Sequence, residues 1–166
     1  MTANKNGLLY ETLTDLSDKY TVISSYNSYK YIKFLNYEEV FIQANKRGLF
    51  DYMKNKINNK ISPANGCKLP DESFVQERTK TIIIIEKKFQ KCPGSVCEKI
   101  QTPSFKIWHY NRLFPNYKIK YIYCLSDWFK TNCPEELEYL NYINVPIFFG
   151  CDENYKLEII NYIMSV

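Results

Sequence analysis

The segment Lys68-Leu69-Pro70-Asp71-Glu72-Ser73-Phe74-Val75, the polar group Gln76 to Lys80, and the run Thr81-Ile82-Ile83-Ile84-Ile85-Glu86-Lys87-Lys88-Phe89 decide how this chain is read. Four consecutive isoleucines with no polar alternation predict a central strand covered on both faces. The shorter segment before it predicts a partner strand, with the polar group turning between the two. A hairpin turning at Arg78-Thr79 sets Phe74 across from Ile83 and Asp71 across from Glu86. Side chains alternate along a strand, so Glu86, Lys88 and Gln90 fall on one face. The hairpin thus gathers two carboxylates, an ammonium and an amide onto one patch.

Upstream, Asn36 followed by Glu39 reads as a capping box, and Val40, Phe41, Ala44, Gly48, Tyr52 and Met53 make an apolar stripe to about Ile57. This predicts a helix over 36–57, then a loop from Asn58 to Asn65. Residues 8–35 have mixed periodicity and define no element. Downstream, Ser95 and Glu98 form a second capping box, and Thr102-Pro103 restarts a helix that ends near Phe114-Pro115. Tyr117 to Cys124 alternates as a strand with Lys118 and Lys120 on an outer face. Pro134–Tyr142 reads as a helix, Val145–Phe149 as a short strand and Asp152–Met164 as a closing amphipathic helix. The order α, β, β, α, β, α, β, α predicts a mixed α/β fold, a small mixed sheet flanked by helices. No repeat or low-complexity linker interrupts the chain, so 1–166 is read as one domain.

The 166 residues are 45% hydrophobic and 24% charged, which excludes collagen-like, disordered and coiled-coil classes. Apolar runs such as Val145 to Phe149 fall far short of a membrane span, and the start at Met1 to Asn6 has no apolar stretch. The expected setting is the cytoplasm of a bacterial or virus-infected cell, without secretion. The net charge of +4 admits an anionic partner. Lysine supplies 19 of the 22 basic residues, beside 18 Ile, 16 Asn and 15 Tyr, all with AT-rich codons. That bias weakens any argument from lysine count alone. The six cysteines lack zinc-site spacing and there is one histidine, so reduced packing thiols are expected.

Two carboxylates set side by side against an apolar run need neutralising. Hard oxygen donors favour Mg²⁺ for that role, with Lys88 beside it to help an attacking water or stabilise charge on a phosphate. The same residues equally suit an ordinary strand end and turn. Pro70-Asp71, then fourteen residues, then Glu86-Lys87-Lys88 resembles the signature of the PD-(D/E)XK nuclease superfamily. The continuation Phe89-Gln90, Gly94-Ser95-Val96, Glu98 to Thr102, Phe105-Lys106 and Tyr110 is similar to the strand–helix block of type II restriction endonucleases. The resemblance covers roughly residues 36–125 and implies a restriction-endonuclease-like sandwich. It also implies Asp71 and Glu86 as ligands of Mg²⁺ (Mn²⁺ substituting), Lys88 as the catalytic lysine and Gln90 as an accessory residue. The strand before Pro70 then has to be short or lie at Asn58–Ile61.

Glu39 is an additional acidic candidate, equally suited to complementing a helix dipole. Lys87, Ser95, Lys99 and Lys106 are candidates for contacting a nucleic-acid backbone. Lys99 and Lys106, seven apart, equally suit a solvated helix face. The expected activity is a Mg²⁺-dependent endonuclease on double-stranded DNA, acting as a homodimer on a short site of about four base pairs. The loop Asn58–Gly66 and the segment Ser126–Pro134 would read bases. Two alternatives stand beside it: a junction, repair or viral RNA nuclease of the same chemistry, and a non-catalytic nucleic-acid-binding module.

Overall fold

The computed structural model describes residues 2–57, 69–92 and 95–166, with side chains from residue 5 onward. The Asn58–Gly66 loop and the candidate strand at Asn58–Ile61 lie outside the described residues. The isoleucine run becomes a strand, β5 (Thr81–Lys88), buried along nearly its whole length. It pairs antiparallel with β4 (Glu72–Gln76) in the expected register, Phe74 opposite Ile83 and Glu72 opposite Ile85. On its other side it pairs in parallel with β6 (Lys118–Leu125). β5 is therefore where an antiparallel half-sheet meets a parallel one.

The whole sheet has seven strands in sequential order. β1 (Tyr20–Ser25), β2 (Tyr29–Phe34) and β3 (Val40–Ala44) form a meander that continues antiparallel into β4. Beyond β6, β7 (Ile147–Phe149) adds in parallel. Helices α1 (Thr2–Leu13) and α7 (Tyr155–Ser165) cover one face; α2 (Gly48–Ile57), α3 (Val96–Ile100), α4 (Pro103–Leu113), α5 (Trp128–Asn132) and α6 (Pro134–Tyr142) cover the other. The alternation of β5 divides its isoleucines between two cores. Ile82 and Ile84 pack with Met53, Ile100, Tyr110 and Leu140. Ile83 and Ile85 pack with Tyr10, Phe74, Ile122 and Ile159. At roughly 1.5–3 kcal/mol for each fully buried isoleucine, this strand stabilises both layers.

The mixed α/β class and the sheet flanked by helices hold, and several elements differ from expectation. The stripe over 36–57 is a strand followed by a helix: β3 pairs with β4 through Gln43 opposite Phe74, and α2 begins at Gly48. Asn36 and Lys46 have φ of 69° and 51°, so the chain reverses at both ends of β3 and Asn36 caps no helix. Gly48 opens α2 because a Cβ there would collide with the Ser28 carbonyl. Among the described residues the strand before Pro70 is β3. Residues 8–35 hold the second half of α1 and all of β1 and β2. Lys118 is exposed and Lys120 half-buried at the start of β6, and the carboxyl-terminal half of the strand is buried on both faces. Ser95 stands before α3 and Thr102 before α4, neither with a side-chain capping bond, and Pro103 opens α4 as expected.

Cys97 and Cys133 form a disulfide joining α3 to the start of α6, which corrects the expectation that these thiols are reduced. The crossover packing brings the two sulfurs together, and their spacing in the chain carries no sign of it. Among the described residues no helix is long and apolar enough to cross a membrane.

The β4–β5 turn is held by Glu77, whose carboxylate accepts from the Tyr52 hydroxyl (2.6 Å), the Tyr117 hydroxyl (2.8 Å) and the Lys80 ammonium. Burial raises the Glu77 pKa, but these donors outweigh it and hold the carboxyl below its usual range. Glu77→Gln should cost about 1 kcal/mol at pH 7, a value kept small by solvent screening. A lowered folded pKa contributes stability above the unfolded carboxylate value of about 4.3 and loses it as pH falls through the folded one. Denaturant midpoints of the two proteins should therefore differ at pH 7 and converge below about pH 4.

Candidate active site

The carboxyl-terminal end of β5 emerges beside β6, at the edge of the parallel half-sheet where open α/β sheets place their ligands. Asp71 sits one residue before β4, and its Oδ2 accepts the backbone N–H of Lys87 at 2.8 Å. That bond fixes Asp71 across from Glu86, the juxtaposition expected from the hairpin. Lys88 joins the two: its Nζ lies 2.6 Å from Glu86 Oε1 and 3.6 Å from Asp71 Oδ2, and donates to the Lys87 carbonyl at 3.1 Å.

A further charged residue enters from α4. Lys106 is only 8% exposed, and its Nζ donates to the same Glu86 Oε1 at 2.7 Å. Its ammonium also lies 5.7 Å from the centre of the Tyr121 ring. Lys106 is thus a buried member of the carboxylate cluster, neither a solvated residue nor one free to meet a phosphate backbone. Lys99, on the separate helix α3, is exposed.

The electrostatics follow from this packing. Burial, then the charge of Glu86, pushes the Asp71 carboxyl above its usual range; Lys88 and the Lys87 amide oppose this incompletely. Burial also penalises charged Glu86, but Lys88 and Lys106 together outweigh it and hold its carboxyl below the usual range. Burial pulls Lys88 down, while Glu86 and Asp71 pull harder and raise it. For Lys106 burial dominates, and its ammonium sits below the usual range despite Glu86. The Tyr121 and Tyr123 hydroxyls are kept neutral by burial and by Glu86; Tyr121 lies toward Glu86 and Tyr123 toward Tyr121, and neither makes a hydrogen bond of full geometry among the described residues. They are unspent polar capacity next to the cluster.

The other expected site residues fall elsewhere. Lys87, one residue out of phase with Glu86 and Lys88, turns to the opposite face, where its Nζ lies 2.8 Å from Glu72 Oε2 and donates to the Glu11 carbonyl at 3.1 Å. With side-chain exposures of 3% and 1%, Lys87 and Glu72 form an interior ion pair that has no ammonium to offer DNA. Gln90 has left the strand: its N–H donates to Ser126 Oγ at 3.1 Å and its side-chain amide to the Cys92 carbonyl at 2.7 Å. It does not share the Glu86–Lys88 face. Glu39 is half-buried beside β3, and the β3–β4 register carries it level with Arg78, at the hairpin-turn end, away from Asp71. The additional acidic residue near Asp71 is Glu11 of α1, whose charge adds to the upward push on Asp71 and whose carboxylate pairs with Lys46 at 3.4 Å. Ser95 is exposed before α3, whose five residues are too short for a strong helix dipole. The Ser126–Pro134 segment, expected as a base-reading loop, contains α5.

The donor set at Asp71 and Glu86 fits a hard divalent cation: two carboxylates held by backbone and lysine contacts, oxygen donors of the kind Mg²⁺ favours. Asp71 and Glu86 bring two such ligands; the one group of three or more ligand-type side chains among the described residues is Cys97, Cys133 and Glu136, in which the two sulfurs are bonded to each other. Compared with protein-family models, curated proteins and solved structures, the chain matches none.

The two faces of β5 make separable demands. Lys87→Met or Glu72→Leu alone strands a buried charge and should cost roughly 3–5 kcal/mol, whereas the double variant should recover most of the loss. Urea midpoints of the four proteins measure this. A double variant whose loss equals the sum of the two single losses would show that the pair is not coupled.

Proposed function

We propose that the chain is a divalent-cation-dependent endonuclease hydrolysing phosphodiester bonds in double-stranded DNA. The observation that carries this reading is the convergence of Asp71, Glu86 and Lys88 at the end of β5. Two oxygen-donor side chains and one ammonium on a rigid central strand are what hydrolysis of a phosphate diester requires. The ammonium answers the charge that grows on the phosphoryl oxygens, and the carboxylates hold a cation. Mg²⁺, with Mn²⁺ as substitute, would supply Lewis acidity and a more acidic water at this place.

In this reading Asp71 and Glu86 are the ligands. Lys88, whose side chain keeps 23% of its surface exposed, faces the incoming phosphate. The sequence resemblance to the PD-(D/E)XK nucleases supports the same assignment, and the α/β topology is compatible with it. A palindromic duplex target calls for a homodimer in which each copy cuts one strand. Structure-specific cutting of junctions or RNA uses the same site, and the form of the products separates it from sequence-specific cutting.

The test is cleavage of a supercoiled plasmid by the whole protein with Mg²⁺, with EDTA, and by the Glu86→Ala and Lys88→Ala variants. Discrete bands are expected with Mg²⁺, disappearing in EDTA and falling at least a hundredfold in both variants. Absence of cleavage on duplex, branched and RNA substrates by folded protein contradicts the proposal.

A further inference from the structure

Lys88 and Lys106 both contact a single oxygen, Glu86 Oε1, at 2.6 and 2.7 Å. The charge count is balanced by these four residues alone. Asp71 and Glu86 contribute two negative charges, and Lys88 and Lys106 two positive ones. The cluster is largely removed from water, with Glu86 and Lys106 buried. Adding a divalent ion to a neutral, poorly solvated group leaves two uncompensated positive charges, which is unfavourable unless an ammonium retreats.

The two lysines are not equally free to do so. Lys88 also lies within 3.6 Å of Asp71 Oδ2 and donates to the Lys87 carbonyl, which tie it to the hairpin. The one ion pair of Lys106 among the described residues is with Glu86, and the face of the Tyr121 ring lies within cation–π reach as a second seat. The side chain has four rotatable carbons on a helix, so it can move its charge a few ångströms without disturbing α4.

We propose that Lys106 is an internal counter-cation: in the metal-free protein it holds the place on Glu86 that a divalent ion takes, and ion entry drives it toward Tyr121. This rests on the reading of Asp71 and Glu86 as cation ligands and adds how the affinity of that site is set. Lys106 keeps the buried carboxylate neutralised and oriented before loading. It does so at the expense of affinity, because the incoming ion must displace it. It is a positioning residue, touching Glu86 and neither substrate nor reacting atoms.

The test is direct titration of the full chain with Mn²⁺, reading free ion by electron paramagnetic resonance at fixed ionic strength, beside thermal unfolding with and without the ion. Lys106→Met should bind Mn²⁺ about tenfold more tightly than the parent protein, the direction opposite to that expected from damaging a site. Lys106→Arg, which keeps the charge, should stay close to the parent. Lys130→Met, which removes a lysine paired with Asp152 on the surface, controls for net charge and should not move the affinity. Metal-free Lys106→Met should unfold at a lower temperature than the parent and gain more from Mn²⁺. If it does not fold, Lys106→Gln, which keeps an amide donor to Glu86 while removing the charge, should show the same tightening. Equal or weaker binding by a folded charge-removing variant overturns the counter-cation while leaving the ligand assignment standing, provided Glu86→Gln abolishes binding. Absence of Mn²⁺ binding by every folded protein, parent included, overturns both.

Discussion

Buried carboxylates at the end of a strand with no wet face must be neutralised, and the arrangement of this molecule answers that constraint twice over. β5 carries its isoleucines between two helical layers, so the residues that follow them emerge into protein on both sides. On one side Glu86 meets Lys88 and Lys106; on the other Lys87 meets Glu72. The alternation that divides the isoleucines between two cores also divides the charges between two tasks. One ion pair is closed and interior. The other stands at the edge of the parallel half-sheet, with Lys88 partly open to solvent.

The supporting elements make sense in these terms. The hairpin turn, pinned by Glu77, sets the register that puts Asp71 opposite Glu86. α4, restarted by Pro103, delivers Lys106 onto the same carboxylate oxygen. α1 brings Glu11 toward Asp71 and its carbonyl to Lys87. A site assembled from one hairpin and two helices on opposite faces is rigid where the carboxylates are and adjustable where the long lysine is.

Much of this was legible in the residues themselves. The apolar run with polar bounds gave β5 and its two covered faces, and the spacing from Asp71 to Glu86 gave the register, because strand pairing is fixed once the turn is located. Lys106 was misread for an identifiable reason. Its spacing of seven from Lys99 implies a shared face only on a continuous helix, and Pro103 breaks the helix and resets its phase. β1 is exposed over almost its whole length, so it leaves no burial pattern for a sequence to show. β3 and α2 together mimic one amphipathic helix because Val40, Phe41, Ala44 and Gly48 happen to follow helical spacing, and the reversal at Lys46 has no strong signal in composition. Glu11 and the Cys97–Cys133 pairing depend on which elements pack together, which local pattern does not encode.

The central claim is that Asp71 and Glu86 bind a cation. Anomalous scattering at the manganese edge, from crystals of the full chain grown with Mn²⁺, addresses it without reliance on a substrate. The account predicts a peak bonded to oxygens of both Asp71 and Glu86, with the Lys106 ammonium withdrawn from Oε1. Ordered density with both lysines still seated on Glu86 and no peak at this place would contradict it.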